Sequence, residues 1–340
     1  MNFLIISPTQ SGIGGIAGVV QNQHNFLKKQ GYSVDIISSE NTFTIPIRGL
    51  KNPSFMISSY LKTKFKKNYD IVHAHNPISA LAMKNIHGKK VLSLWGLFSE
   101  QIEILHGKTL NKASNQLEKN SLKWADVITV ASKEIQNHYR NLGYETYYIP
   151  NAINIEDLPT ETKRNYKKQI IYVGRLSKEK GSSTLVEISK NLNDKIDLII
   201  IGSGPDEEFF KTLSLKRKNI HFLGYQSKNV VIPLIRGSDI LLSPSLKEGG
   251  VSTTILEGMA CKTAIIATKL AVYDDELGDD AILKIPSNNS EKFLNAINCL
   301  IDDSSKREKL SEKGYELSKL YSWDNIGKKY LDIYQKLQNF

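Results

Sequence analysis

Cysteine is nearly absent. Only Cys261 and Cys299 occur in 340 residues, with no pairing pattern and no metal-ligand spacing, which argues against a disulfide scaffold and for a reducing compartment. Long hydrophobic runs are missing as well. Leu198-Ile199-Ile200-Ile201 is typical of the apolar segments, far short of the roughly 20 residues that span a bilayer. The opening residues offer no basic leader: Met1-Asn2 passes straight into Phe3-Leu4-Ile5-Ile6, too short for a secretory signal core and broken at Ser7-Pro8. A cytoplasmic location is the expectation. Acid is scarce in one half only. Residues 1–155 hold 17 Lys and Arg against 9 Asp and Glu, and the remainder holds 28 against 26. The first half is therefore expected to meet something anionic.

What is present is ordinary for a globular chain, 40% hydrophobic and 24% charged. The length exceeds one core and suits two domains of about 150 residues each. Strand-like runs over 2–7, 33–38, 71–74, 90–94, 127–131 and 146–149 alternate with helical patterns such as 16–30 and 111–124. The rhythm restarts over 169–173, 197–201, 220–222, 240–243, 264–267 and 282–284. Such alternation predicts an α/β chain with two parallel, doubly wound sheets. Residues 159–168, polar and without periodicity, read as the linker. Residues 323–337 are amphipathic, with Ile326, Tyr330, Ile333, Tyr334 and Leu337 on one face. Open parallel sheets bind ligands beyond the carboxyl ends of their strands, and two facing sheets would create a cleft. Each motif below lies just past a strand.

Gly174-Arg175-Leu176-Ser177-Lys178-Glu179-Lys180-Gly181 follows the run Ile170-Ile171-Tyr172-Val173 and precedes a helical pattern. An arginine and a lysine on a glycine-bounded turn suit a diphosphate, which needs cationic donors and close backbone approach. Both would also counter the charge that develops on a departing nucleoside diphosphate, a transition-state role. Two solvated surface cations are the plain alternative. Further on, Glu248-Gly249-Gly250-Val251 leads through Ser252, Thr253 and Thr254 into a helix bearing Glu257. Carboxylates there can accept from sugar hydroxyls, Glu257 bidentately from a ribose, while the helix start caps itself or receives a phosphate. Cations for a diphosphate beside acids for sugars point to a nucleotide-sugar site. Gly12-Ile13-Gly14-Gly15-Ile16-Ala17, after the first strand, has three readings. Gly12, Gly14 and Ala17 fit a dinucleotide fingerprint with Glu40 as ribose acid, which would make the chain a nicotinamide-linked oxidoreductase. The glycines can instead serve a tight turn, or Gly14 and Gly15 can offer main-chain amides to a phosphate or an acceptor.

In order along nearly the whole chain stand Gly14-Gly15, Asp70-Ile71-Val72-His73-Ala74-His75, Ala125-Asp126-Val127-Ile128-Thr129-Val130-Ala131-Ser132 and Ile149-Pro150-Asn151. Val173-Gly174-Arg175-Leu176 with Lys180-Gly181, Ile201-Gly202-Ser203-Gly204-Pro205, Leu223-Gly224-Tyr225 and Pro244-Ser245 follow. Leu256-Glu257-Gly258-Met259-Ala260-Cys261 and Tyr321-Ser322-Trp323 complete the series. In this order the motifs resemble the family 4 retaining glycosyltransferases of the GT-B fold. The resemblance implies two facing Rossmann-like domains. The first, 1–157 with the returning helix 323–340, would bind the acceptor, and the second, 158–322, the donor. It implies that Arg175 and Lys180 hold the donor diphosphate, Glu257 the ribose, and Glu248 with its loop amides the sugar, with Gly14, Gly15, Gly174, Gly202, Gly249, Gly250, Val251, Ser252 and Thr253 also on the donor. It implies hexosyl transfer from a UDP- or GDP-linked sugar to a hydroxyl of a glycan or lipid-linked acceptor, with retention, no resident cofactor, no essential metal and no nucleic-acid partner.

Two departures stand out. Eight residues separate Glu248 from Glu257 where the family usually has seven, so either the loop carries an extra residue or Gly249 takes the acidic place. Ser93-Leu94-Trp95-Gly96 puts tryptophan where the family commonly has histidine. Trp95 can stack on a sugar or fill a wall. His75 and Asn151 are the other acceptor or sugar candidates. Tyr60-Leu61-Lys62-Thr63-Lys64-Phe65-Lys66-Lys67 reads as a solvated helix or as a reversible contact with an anionic membrane through Lys62, Lys64, Lys66 and Lys67. The acidic group Asp274-Asp275-Glu276 with Asp279-Asp280 reads as solvated connection. A nucleotide-sugar epimerase or a binding module of the same fold remains an alternative to transfer.

Overall fold

The computed structural model describes residues 1–10, 15–47, 49–65, 68–98, 111–271 and 277–339. The chain divides into two compact units, Met1–Ala152 with Trp323–Phe340, and Ile153–Ser322. The break falls before the expected 157/158 boundary because the Ile153 N–H donates to Tyr321 O at 2.9 Å and both side chains join the second unit's core. Residues 159–168 do not hang free as a linker. Lys163 N–H donates to Pro233 O at 2.8 Å, and Arg164 Nη2 pairs with Asp239 at 2.6 Å, fastening the segment to the second unit.

The first unit runs β1 (Asn2–Ile6), α1 (Gly15–Lys29), β2 (Ser33–Ile37), α2 (Lys51–Thr63), β3 (Ile71–His75), α3 (Pro77–Met83), β4 (Lys89–Leu94), α4 (Asn111–Trp124), β5 (Val127–Val130), α5 (Lys133–Asn141) and β6 (Tyr147–Tyr148). All strand pairs are parallel, in the order β2-β1-β3-β4-β5-β6. Alternate residues of β1 leave for opposite faces: Phe3 and Ile5 join one apolar cluster, Leu4 and Ile6 another. Both faces are covered, which is why β1 is apolar from Phe3 to Ile6 and does not alternate with polar residues.

The second unit runs β7 (Gln169–Val173), α6 (Ser182–Asn191), β8 (Asp197–Ile201), α7 (Glu207–Lys216), β9 (Ile220–Gly224), α8 (Lys228–Arg236), β10 (Ile240–Ser243), α9 (Thr253–Ala260), β11 (Ala264–Thr268), β12 (Leu283–Ile285), α10 (Ser290–Asp302) and α11 (Ser304–Ser318). Its sheet is also parallel, in the order β12-β11-β10-β7-β8-β9. Ile171 faces one cluster while Ile170 and Tyr172 face the other. The last helix, α12 (Trp323–Gln338), belongs to the first unit, where Ile326, Tyr330, Ile333, Tyr334 and Leu337 are buried with Phe3 and Phe26. The expected class, two Rossmann-like doubly wound α/β domains, is the one the chain adopts.

Candidate active site

Strand order locates the site in the second unit. From β7 the chain winds outward through β8 and β9, then returns to place β10 on the other side of β7, so the direction of winding reverses between β7 and β10. Ligands of open α/β sheets bind beyond the carboxyl ends of the strands at such a point. Arg175 and Lys180 follow β7, and Glu248 follows β10. The structure brings the two loops together: Lys180 Nζ lies 2.6 Å from Glu248 Oε2, with side chains 29% and 10% exposed. The main chain makes the same junction. Glu179 O accepts from the N–H groups of Leu246 and Lys247 at 2.8 and 3.1 Å.

Glycine permits this crowding. Gly202 has φ of 144°, and a Cβ there would stand 1.9 Å from Gly174 O. Gly181 has φ of 75°, and its Cβ would meet Pro244 O at 2.0 Å. Arg175 is looser, 57% exposed and 3.6 Å from Glu179. Its carbonyl is fixed by the buried Tyr172, whose hydroxyl donates to Arg175 O at 2.9 Å. Burial, and then the negative charge of Glu248, push that phenol well above its usual range, so it stays a donor.

Beyond Glu248, Gly249 is half-buried, Gly250 is buried, and Val251 is anchored in the apolar core. Ser252 takes the N-cap position of α9, yet its side chain accepts no capping hydrogen bond. Glu257, on α9 and 6% exposed, accepts from Lys228 Nζ at 2.7 Å. Lys228, just past β9 at the start of α8, escaped the sequence reading. A cation shortly after a strand end was the available signal.

In the first unit, the carboxyl ends of β3 and β4 carry a buried polar chain. Trp95 Nε1, which can only donate, gives to His75 Nδ1 at 3.2 Å. His75 Nε2 is therefore the protonated nitrogen and donates to Gln23 Oε1 at 2.8 Å. Gln23 Nε2 reaches His73 Nδ1 at 2.8 Å and Tyr334 OH at 2.6 Å. His73 Nε2 meets Ser93 Oγ at 2.7 Å, which in turn meets Thr129 Oγ1 at 2.6 Å. Burial holds His75 down to about 3; burial, with the neighbouring His75, also holds His73 well below its usual range. Both rings are neutral at ordinary pH. His75 is fully buried with both nitrogens engaged, so its ring is not open to direct contact from outside the fold. Trp95 itself is half-buried and lies parallel to His75, ring centres 5.8 Å apart and planes 6° off. Gln23, Ser93, Thr129 and Tyr334 were missed, because nothing local marks residues that meet only through folding.

Gly15 opens α1, and a Cβ there would meet no described atom within 4 Å, so close packing does not demand glycine at that place. Asn151 is half-buried after β6. Gly12, Gly14, Lys66, Lys67 and Asp274-Asp275-Glu276 lie outside the described residues. Among the described residues no group of three or more His, Cys, Asp or Glu is placed to hold a metal ion, and no helix is long and apolar enough to cross a membrane.

Two family models cover most of the chain: Glycosyl transferases group 1 over residues 154–317 and Glycosyltransferase Family 4 over residues 13–157. The chain belongs to the family 4 glycosyltransferases, which have the GT-B fold. Among individual relatives, an uncharacterized glycosyltransferase of Methanocaldococcus jannaschii is 27% identical over 82% of this chain and 71% of its own length. A phosphatidyl-myo-inositol mannosyltransferase of Mycobacterium leprae is 21% identical over 79% and 74%. The solved Anabaena protein HepE in complex with UDP-glucose superposes with a TM-score of 0.74 at 17% identity, covering 99% of this chain and 100% of that one. The oxidoreductase reading of Gly12, Gly14 and Ala17 gains no support from these matches.

Proposed function

We propose that this chain transfers a hexosyl group from a UDP- or GDP-linked sugar to a hydroxyl of a glycan or lipid-linked acceptor, with retention at the anomeric carbon. The observation that carries the reading is the Lys180–Glu248 pair, 2.6 Å long, joining the loops of β7 and β10 where the second sheet reverses its winding. A cation and an acid held there suit a diphosphate and the sugar attached to it. The family membership supports the reaction class, and the UDP-glucose bound by the Anabaena neighbour supports a nucleotide-sugar donor.

In this reading Arg175 and Lys180 bind the diphosphate and stabilise the charge that grows on it as the glycosidic bond breaks. No chelated metal or cofactor is required for that task. Glu257 receives the ribose hydroxyls. Glu248, with the main chain from Gly249 to Thr253, holds the sugar, while Gly174 and Gly202 let the loops approach. The acceptor belongs to the first unit, with Asn151, and Trp95 as a platform set by His75. Among the described residues none presents itself as a nucleophile. The acceptor oxygen then attacks C1 on the face the diphosphate leaves: the C1–O(phosphate) bond breaks, the new C1–O bond forms, and the acceptor proton passes to the departing phosphate oxygen. The two cysteines, buried Cys261 and exposed Cys299, are both free, which suits a reducing, cytoplasmic setting.

The test is a panel of UDP-, GDP- and ADP-hexoses with glycan and lipid-linked acceptors, the product's anomeric configuration being read by proton NMR. Transfer with retention is expected. An inverted product would remove the same-face displacement, and conversion of free nucleotide sugar without acceptor would select an epimerase.

A further inference from the structure

Six of the thirteen large apolar side chains exposed among the described residues fall between Phe43 and Phe65. α2 explains three of them. Phe55, Ser59 and Thr63 are its buried side, and the spacing of four puts Ile57 and Leu61 in a row on the other. Phe65 continues the row just past the helix end and is 90% exposed. The preceding loop adds Phe43, Ile47 and Leu50. It is tied alongside the helix by Ser58 Oγ donating to Phe43 O at 2.6 Å and by the Ile45 N–H donating to Ser54 Oγ at 2.9 Å. Exposed apolar side chains gathered on one helix row and on the loop tied beside it mark an interaction site.

Charge identifies the partner. Residues 41–69 contain six Lys and Arg and no Asp or Glu. Lys51 and Lys64 are exposed, Lys64 with its ammonium 5.5 Å from the Tyr60 ring centre. Lys62, expected on sequence to meet headgroups, instead donates to Asn41 Oδ1 at 3.1 Å and Thr42 Oγ1 at 3.4 Å and so braces the loop. A solvated helix has no use for the apolar row, and an apolar protein partner has no use for the unbroken excess of cations. A helix lying on an anionic bilayer uses both.

We infer that this face docks the protein on an anionic lipid bilayer, with Phe43, Ile57, Leu61 and Phe65 entering the acyl boundary and Lys51 and Lys64 at the headgroups. For its purpose, delivery to a lipid-linked acceptor, the docking rests on the transfer reading. The contact itself needs neither donor nor acceptor.

Flotation of the full chain with vesicles of phosphatidylcholine, alone or with about one-third phosphatidylglycerol, tests it. The bound fraction is expected to be at least about tenfold higher on anionic vesicles and to fall as salt is raised. Ile57→Ser/Leu61→Ser/Phe65→Ser should lower partition about tenfold or more, and Lys51→Ala/Lys64→Ala several-fold, with circular dichroism and thermal midpoint unchanged in both. Three outcomes overturn the inference. The first is absent or charge-independent flotation. The second is wild-type flotation of the apolar variant. The third is self-association, by sedimentation velocity, that the apolar variant abolishes while neither protein floats. Nucleoside diphosphate binding measured on the same preparations separates a failure of docking from a failure of the transfer reading.

Discussion

Lys180 and Arg175 stand on one turn but carry different burdens, and substitution should separate them. Arg175 is mostly exposed and its ion pair with Glu179 is a surface contact, which contributes at most about 1 kcal/mol to folding. Arg175→Ala should leave the thermal midpoint nearly unchanged and slow transfer roughly 10- to 100-fold, as expected for losing a charge-assisted contact of about 1.5–3 kcal/mol. Lys180→Ala should cost both, because it leaves the half-buried Glu248 without its cation. Equal thermal losses in the two variants would contradict this division. The buried histidines supply a pH prediction. Their folded pKa values lie below the ordinary 6.5, to about 3 for His75, so as pH falls below 6.5 the unfolded chain takes up protons that the folded chain refuses. For His75 this stability is complete above pH 6.5 and is lost on acidification toward 3, at about 1.4 kcal/mol per pH unit, and His73 adds a loss of the same sign. Urea unfolding should show a loss of about 2 kcal/mol from His75 alone between pH 7 and 5, and His75→Gln should shrink it. An unchanged pH dependence would mean that His75 is not held neutral by its burial. At this scale the sequence was informative where chemistry is local. Arg175 and Lys180 announce themselves between glycines after a strand, whereas Lys228 finds Glu257 across 29 residues and Gln23 finds His73 across 50.

Elements were legible where burial imposes a period. The apolar runs of β1 and β7 could be read directly, because strands covered on both faces have no polar side to interrupt them. β6 was the poorest case. Residues 146–149 read as a strand, yet only Tyr147–Tyr148 pair, at the edge of the sheet where one neighbour is missing. Residues 159–168 looked like a free linker because composition cannot reveal that Arg164 finds Asp239 75 residues away. Loop crossing is the element-scale feature with a sharp test. Gly202→Ala would force a side chain into positive φ and against the Gly174 carbonyl, which cannot retreat without moving β7. A loss of at least about 2 kcal/mol is expected, a fall of roughly 4–8 °C for a unit of this size, together with weakened nucleotide binding. Gly15→Ala, with open space before it, should leave the thermal midpoint within about 1 °C. Comparable thermal losses in both would contradict the assignment of crowding to the second unit's loops.

At the scale of the molecule, the chain's last helix completes its first unit. α12 buries Trp323, Ile326, Tyr330, Ile333, Tyr334 and Leu337, at about 1.5–3 kcal/mol each, a sum comparable with the whole stability of a domain. Ending the chain at Ser322 should therefore unfold residues 1–152 while the second unit keeps a cooperative transition, visible as loss of one of two calorimetric transitions. A truncated chain that retains both would contradict that dependence. The amphipathic face of this helix was plain in the sequence. Its partner came only from the family resemblance, which returned the helix to the first domain, because periodicity shows that a face must be covered and is silent on what covers it. The central claim is that Arg175, Lys180, Glu248 and Glu257 form a nucleoside diphosphate site, and titration calorimetry of the full chain with UDP, GDP, ADP and NAD addresses it directly. One of the diphosphates should bind and NAD should not, with affinity falling at least about tenfold in Arg175→Ala/Lys180→Ala. Tight NAD binding, or diphosphate binding untouched by that double substitution, would contradict it.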